Sequence, residues 1–428
     1  MTPDTPETGI AADPLPEALA EPTRRVGAGW VAAFLLANMG LQIPMQVPST
    51  FLMPEQIAAI DPSGKIGGYA WVSVMGAVSG IVIAPLAGAL CDRTIGRFGR
   101  RRPWMAGGAL VCVAACLFTG LQHTVIGVAV GALLLSVGFT ILGAGLSPVV
   151  PDRVPAGQRG VVLGWATVPQ ASALIVGGVL VGLVSGIQAG YLVIAVLPVL
   201  VLVFAAVTED APLPPRYREP FSPRAFLAGY RISPRTSPDF VWALVTRFVM
   251  GFGYGLGTLY LPYFLSDVLD YEKLFPGQSV NDGLLIVIGV HSAATVALVV
   301  LSGWLSDRLG RRRGLVCAGG LIMAIAALPL ALAPTWAMTL VAAAVLGVGY
   351  GIYLSVDTAL VTQVLPASAD RGKDMALANL MGSLPYVLIP PIASVVITHA
   401  GGYPGLFLCS AALSATGGLL IWRVRGVR

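Results

Sequence analysis

Three titratable side chains lie deep inside long apolar runs, where a charge is costly and seldom idle: Arg247, His291 and Asp357. Arg247 falls eight residues into a run near 239–264, and Asp357 five residues from the end of a run near 335–362. At 1.5 Å per helical residue these depths are roughly 12 Å and 8 Å. If both runs are helices entered from one side, the two groups reach similar height and can form a charge-assisted pair. A carboxylate beside a guanidinium stays ionised, and it takes up a proton when the cation withdraws or water leaves. Asp357 is therefore the candidate proton carrier, with Arg247 as its partner. A permanent ion pair locking two helices together is the competing reading. His291, midway along another run, can also titrate, though a lone histidine hydrogen-bonded within a helix bundle is the commoner case.

A second group suits a polar ligand. Asn38, Gln42 and Gln46 repeat at i, i+4, i+8 and share one helix face. Three amides on one face have no reason to meet lipid; they line a cavity or hold helices together. Gln170, Tyr254, Tyr260, Tyr350 and Tyr353 add hydrogen-bonding groups and aromatic surface. Catalysis has no comparable set. His123, His291 and His399 are scattered, no nucleophile–base pair or metal cluster stands out, and no GxxxxGK[ST] phosphate loop is present. No cofactor or metal is expected, and the chain does not read as an enzyme.

The elements that must position these groups follow from composition. The chain is 56% hydrophobic and 11% charged, with a mean hydropathy of +0.81, against about 25% charged residues in soluble domains. There is too little polar surface to face water all round, so the chain is an all-α polytopic membrane protein. Twelve apolar runs, each near the roughly 20 residues a helical span needs, fall near 27–50, 66–91, 104–121, 124–147, 160–184, 188–208, 239–264, 283–304, 314–333, 335–362, 374–398 and 403–423. They are numbered here as spans 1 to 12. Alternate glycines from Gly251 to Gly257 are expected to soften span 7, and Pro44, Pro48, Pro385, Pro390 and Pro391 to bend spans 1 and 11, with packing alone as the competing reading for each. Cys112 and Cys116 share a face and read as small packing residues.

Of the 26 Lys and Arg residues, all but Lys65, Arg247 and Lys273 fall in the termini or the loops that alternate with them. The positive-inside rule then places both termini in the cytoplasm, with the chain in the cell (inner) membrane. The net charge of +5 is spread over short loops and does not indicate nucleic acid. Residues 1–25 are too poor in large apolar groups to fold and form a cytoplasmic tail. Residues 26–208 and 237–424 are two six-helix halves, 209–236 is a Pro- and Arg-rich cytoplasmic linker, and 425–428 a short tail.

The loop GALCDRTIGRFGRRRPW, Gly88 to Trp104, holds Asp92 and five arginines. A related string, GWLSDRLGRRRG, spans Gly303 to Gly314, with Asp307 lying 215 positions after Asp92. One half thus repeats the other in the same orientation, a known way to build a transporter. Gly88, Asp92, Arg93, Gly99, Arg100 and Arg101 resemble the loop 2–3 signature of the major facilitator superfamily, and Gly303, Asp307, Arg308, Arg311 and Arg312 repeat it. The longer form, with Arg97 and the run to Trp104, is similar to the loop of sucrose–proton symporters and of the glycoside–pentoside–hexuronide cation symporters. The resemblance implies two parallel-repeat six-helix bundles, spans 1, 4, 7 and 10 around a central cavity, gating by the motif loops, and proton-coupled uptake of a sugar or glycoside by a monomer embedded in the lipid bilayer. The sequence departs from the cation symporters in lacking acids within spans 1 and 4, which puts a sodium site in doubt. The aromatic cavity also leaves open an exporter of an amphipathic natural product or drug, and a non-transporting receptor is a further alternative.

Overall fold

A computed structural model describes residues 22–212, 214, 238–309, 312–363 and 371–424. Nearly all of the tail expected at 1–25, most of the linker expected at 209–236, and the tail at 425–428 lie outside the described residues. Helices account for all the regular structure among the described residues. Twelve are long and apolar enough to cross a membrane: Ala28–Ile60, Lys65–Asp92, Arg102–Gly120, Val125–Arg153, Ala156–Gly182, Ile187–Val207, Pro238–Asp267, Val280–Val299, Arg312–Leu332, Trp336–Asp357, Leu377–His399 and Gly402–Arg423.

The repeat expected from the two motif loops is visible in the packing. Spans 1·5, 2·4, 3·4, 3·6 and 1·6 pack together in the first half, and spans 7·11, 8·10, 9·10, 9·12 and 7·12 in the second. The halves meet through spans 2·11 and 5·8, a pair related by the same symmetry. Glycines bring equivalent helices close in both halves. A Cβ on Gly108 of span 3 would stand 2.7 Å from the Leu142 Cα of span 4. In the second half, one on Gly319 of span 9 would stand 2.9 Å from the Gly349 carbonyl oxygen of span 10. With no hydrophobic drive between helices in lipid, this close approach supplies the packing.

Two local expectations change. Span 1 is longer than its apolar run, because the chain passes Pro48 through a π-helical turn, Pro48–Leu52, and continues helically to Ile60. A π turn absorbs the hydrogen bond that proline cannot make. The alternate glycines of span 7 lie within an unbroken stretch, Pro238–Thr258, and the span is interrupted only beyond them, at Leu259 and Tyr260, before it resumes at Leu261. A Cβ on Gly253 would come 2.8 Å from the Ser414 backbone nitrogen of span 12, and one on Gly255 would strike Ile389 of span 11, so the run packs closely against both helices. Span 6 is also interrupted, stopping at Val196 and resuming at Val199 past Pro198. Gly40 of span 1 fits against the Leu197 carbonyl exposed there.

Candidate functional site

The face bearing the arginine-rich loop is called the basic face. At its centre Arg101 is buried and holds two acids. Its Nη1 donates to Asp92 Oδ1 at 2.6 Å and its Nε to Asp152 Oδ2 at 2.9 Å, where Arg100 Nη2 also donates at 2.9 Å. Asp92 remains more than half exposed. Arg93 donates back to the Ala89 carbonyl, and Arg97 lies over the Phe98 ring. Gly88 faces open space. The anchor of this loop, Asp210, was not apparent from the sequence. Its Oδ2 accepts from the backbone N–H groups of Arg101 and Arg102, at the start of the span 3 helix, where unpaired amides favour an anion. Gly99, at φ 88°, leaves room for that carboxylate, which a Cβ there would strike. Arg153 donates to Glu209 and holds its carboxyl below the usual range. In the second motif loop, Arg308 is exposed and Arg312 half-buried, Gly303 and Asp307 sit on the span 8 helix with side chains outside the described set, and Arg311 lies outside the described residues.

On the opposite face the halves are joined. Lys65 of span 2 pairs with Asp267 of span 7, which also accepts from the Tyr403 hydroxyl. The Tyr263 hydroxyl donates to the Pro54 carbonyl, and Asn281 to Glu55. Tyr69, Tyr260 and Tyr263 pack edge to face with centroids 5.5 and 5.6 Å from Tyr69. Tyr260, expected at the ligand, is 1% exposed here, its hydroxyl 3.2 Å from the Ile66 carbonyl and 3.1 Å from that of Pro390. It belongs to the junction, because span 7 carries it past the cleft to the helix end. A cavity of about 380 Å³ opens outside this layer, lined by Phe51, Glu55, Tyr263 and Tyr271 among others.

Toward the basic face the halves diverge. Gly178 of span 5 meets Leu285 of span 8, yet Gly164 and Gly157, at heptad spacing on the same face, have nothing within 4 Å of a Cβ position. Gly289, one turn beyond Leu285, is equally open. At these positions spans 5 and 8 no longer touch, in contrast to their contact at Gly178 and Leu285.

Arg247 and Asp357 meet as their depths predicted, with Nη1 and Oδ2 3.1 Å apart. The side chains are 18% and 10% exposed. The contact is close but misaligned: Arg247 Nη1 is buried and makes no hydrogen bond. Tyr353 adjoins the carboxylate, and Tyr350 stacks on Tyr254 with centroids 4.1 Å apart. The Tyr254 hydroxyl lies 3.5 Å from His291 Nε2, so the three titratable groups and three tyrosines form one continuous cluster on spans 7, 8 and 10. Tyr386 of span 11, 46% exposed, stands beside Tyr254 and Tyr350; its polar tip in an apolar run was the available signal.

The span 1 amides do not reach this cluster. Asn38 donates to the Phe34 carbonyl at 2.8 Å and Gln46 to Gln42 at 3.4 Å, all within their own helix. They occupy a half-buried face, whereas Ile43 and Val47 of the same helix pack on Gly177 of span 5. Gln170 is exposed. Cys112 and Cys116 are buried, Cys112 against Gly138, as packing residues. No group of three metal-ligating side chains occurs among the described residues.

A model of the Major Facilitator Superfamily matches residues 29–290 and 283–428. The chain belongs to that superfamily. Solved structures agree on the fold. A mutant form of the nucleoside transporter NupG superposes with a TM-score of 0.72 at 12% identity, covering 92% of this chain and 100% of that one. A mutant form of the peptide transporter POT gives 0.75 at 13%, covering 97% and 100%. As a superfamily member, this chain is a multi-pass membrane transport protein, and the family and fold are those of transporters rather than enzymes.

Proposed function

We propose that this transporter couples uptake of a sugar or glycoside to a proton by alternating access, with the basic face and both termini cytoplasmic in the cell membrane. The observation that carries the reading is the Arg247–Asp357 pair, buried yet misaligned, in a cleft between the halves. A structural lock would be expected to satisfy its hydrogen bonds, because burying a partly satisfied pair is unfavourable. Asp357 carries the proton, His291 and Tyr254 extend the polar track, and Tyr350, Tyr353 and Tyr386 form the aromatic platform. Asn38, Gln42, Gln46 and Gln170 supply hydrogen bonds from the facing half as the cleft closes. The motif loops around Asp92 and Asp307 gate the cytoplasmic side. The sucrose and glycoside–pentoside–hexuronide branch fits the extended form of the loop. Export of an amphipathic compound is the second reading, favoured by the exposed ring of Tyr386.

Proteoliposomes carrying an inward pH gradient, offered labelled sugars in turn from outside, test the reading. Asp357→Asn is expected to abolish uphill accumulation while downhill exchange persists, since exchange does not require the carboxylate to release its proton. Uphill transport surviving in Asp357→Asn would rule out the coupling role.

A further inference from the structure

The cavity outside the tyrosine layer is shared between the halves. Phe51 and Glu55 wall it from span 1, Tyr263 from span 7, and Tyr271 and Glu272 from the segment that leads to span 8. No residue of the Arg247–Asp357 cluster lines it. Its volume, about 380 Å³, falls in the roughly 300–1,000 Å³ range of sites for small organic ligands. The lining is of two kinds. Phe51, Tyr263 and Tyr271 are buried and aromatic. Glu55, Asp270 and Glu272 are exposed and acidic, and Lys273 is the one cation. Lys273 is taken up by Asp270, 2.9 Å away. Glu55 accepts a hydrogen bond from the neutral Asn281 at 2.7 Å, and Glu272 stands within electrostatic reach of it. Among the described residues no Lys or Arg pairs with either acid. The segments that frame the cavity, 51–66 and 259–283, are described throughout, so this balance omits no neighbour along them.

Two unbalanced carboxylates beside buried aromatic rings select a cation with an apolar body. Ring faces attract cations, and Tyr263 already does so, with Lys65 Nζ 5.1 Å from its centroid. A bare metal ion fits less well, since no group of three metal-ligating side chains converges among the described residues. An anion would meet both free carboxylates. We infer that the cavity binds an arylalkyl ammonium ion, its ring among Phe51, Tyr263 and Tyr271 and its charge toward Glu55 and Glu272, and that the bound ion holds the opposite face shut. The holding rests on the alternating-access reading above. The walls come from both halves, so the ligand binds best when they are together, and it shifts the balance toward that state by its differential affinity.

The test compares three compounds that share a ring and differ in the charge at the end of a short chain: tryptamine, tryptophol and indole-3-propionate. Each is titrated against the purified full-length protein, with thermal stability as the readout. Tryptamine is expected to act at a concentration about tenfold below tryptophol, with indole-3-propionate weakest, as two partly exposed acids warrant. Glu55→Gln/Glu272→Gln can keep the hydrogen bond from Asn281 and should erase the preference. Lys273→Gln removes the one cation of the lining and should sharpen the preference about threefold, a gain that misfolding cannot mimic. Equal response to amine and alcohol, a preference that survives the double substitution, or no response to tryptamine would each overturn the site.

The holding is read at the other end of the interface, with spin labels at Gly157→Cys and Pro238→Cys in a chain whose native cysteines are replaced. Tyr260 bonds carbonyls of both halves without lining the cavity, so Tyr260→Phe loosens the opposite face and leaves the site intact. Tryptamine added to the Tyr260→Phe chain should lengthen the label distance back toward its value with Tyr260 in place. A distribution that moves with Tyr260→Phe but not with tryptamine contradicts this inference alone. One that moves with neither contradicts alternating access, and the holding with it. Neither readout uses a substrate or a pH gradient, so a failure of the sugar or proton reading leaves both decisive.

Discussion

The two ends of the interface between the halves are built on different chemistry. The opposite face is closed by a tyrosine layer, backbone-directed hydroxyls and the partly exposed Lys65–Asp267 pair, so each half grips the other. At the basic face, Arg101 ties Asp92 to Asp152 and Asp210, at the head of the linker, caps span 3, so these contacts stay within the first half and the start of the linker. One end directs its polar groups across the interface, and the other holds its polar groups on one side of it, leaving Gly157 and Gly164 of span 5 open to a partner. A transporter that alternates needs this difference: contacts made across one end must be exchangeable for contacts across the other.

The largest test of that difference is Asp92→Asn. If the exposed Asp92 carboxylate bridges to the other half when the basic face shuts, its loss removes a charge-assisted contact of about 3 kcal/mol, and turnover should fall roughly a hundredfold. Substrate affinity, measured by equilibrium binding, should change far less. Unchanged turnover would show that the loop is purely structural. Next in size is Tyr260→Phe, which strips a buried hydroxyl from two carbonyls in different halves. A loss of about 1.4 kcal/mol should move the balance between the closed and open opposite face roughly tenfold. Reactivity of Ser49→Cys, placed beneath the tyrosine layer, toward an impermeant thiol reagent reads that shift. The smallest effect is expected of Lys65→Ala. Its pair is partly exposed, so roughly 1 kcal/mol or less is at stake and the same assay should move no more than about fivefold, less at high salt.

Much of this was legible in the residues. Twelve spans, the repeat and the meeting of Arg247 with Asp357 follow from hydropathy, the two motif loops and helical rise, because lipid forces every span to be a helix of known pitch. Asp210 was not legible: it acts 109 positions from Arg101, and an acid at the head of a Pro-rich linker looks like any solvated charge. Tyr260 was misplaced since tyrosines lining a ligand and tyrosines sealing a junction share one composition, and only depth along span 7 separates them. The glycines of span 7 were ambiguous for a similar reason, as a softening residue and a close-packing residue are the same residue until the partner helix is known.

If the proposed transport cycle holds, the two ends of the interface open and close in opposition. Spin labels read it directly, in a chain whose native cysteines are replaced: one pair at Ser63→Cys and Leu274→Cys on the opposite face, another at Gly157→Cys and Pro238→Cys on the basic face. Adding Tyr260→Phe is predicted to lengthen the first distance distribution and shorten the second in the same preparation. Two distributions that both stay still, or that lengthen together, would contradict it.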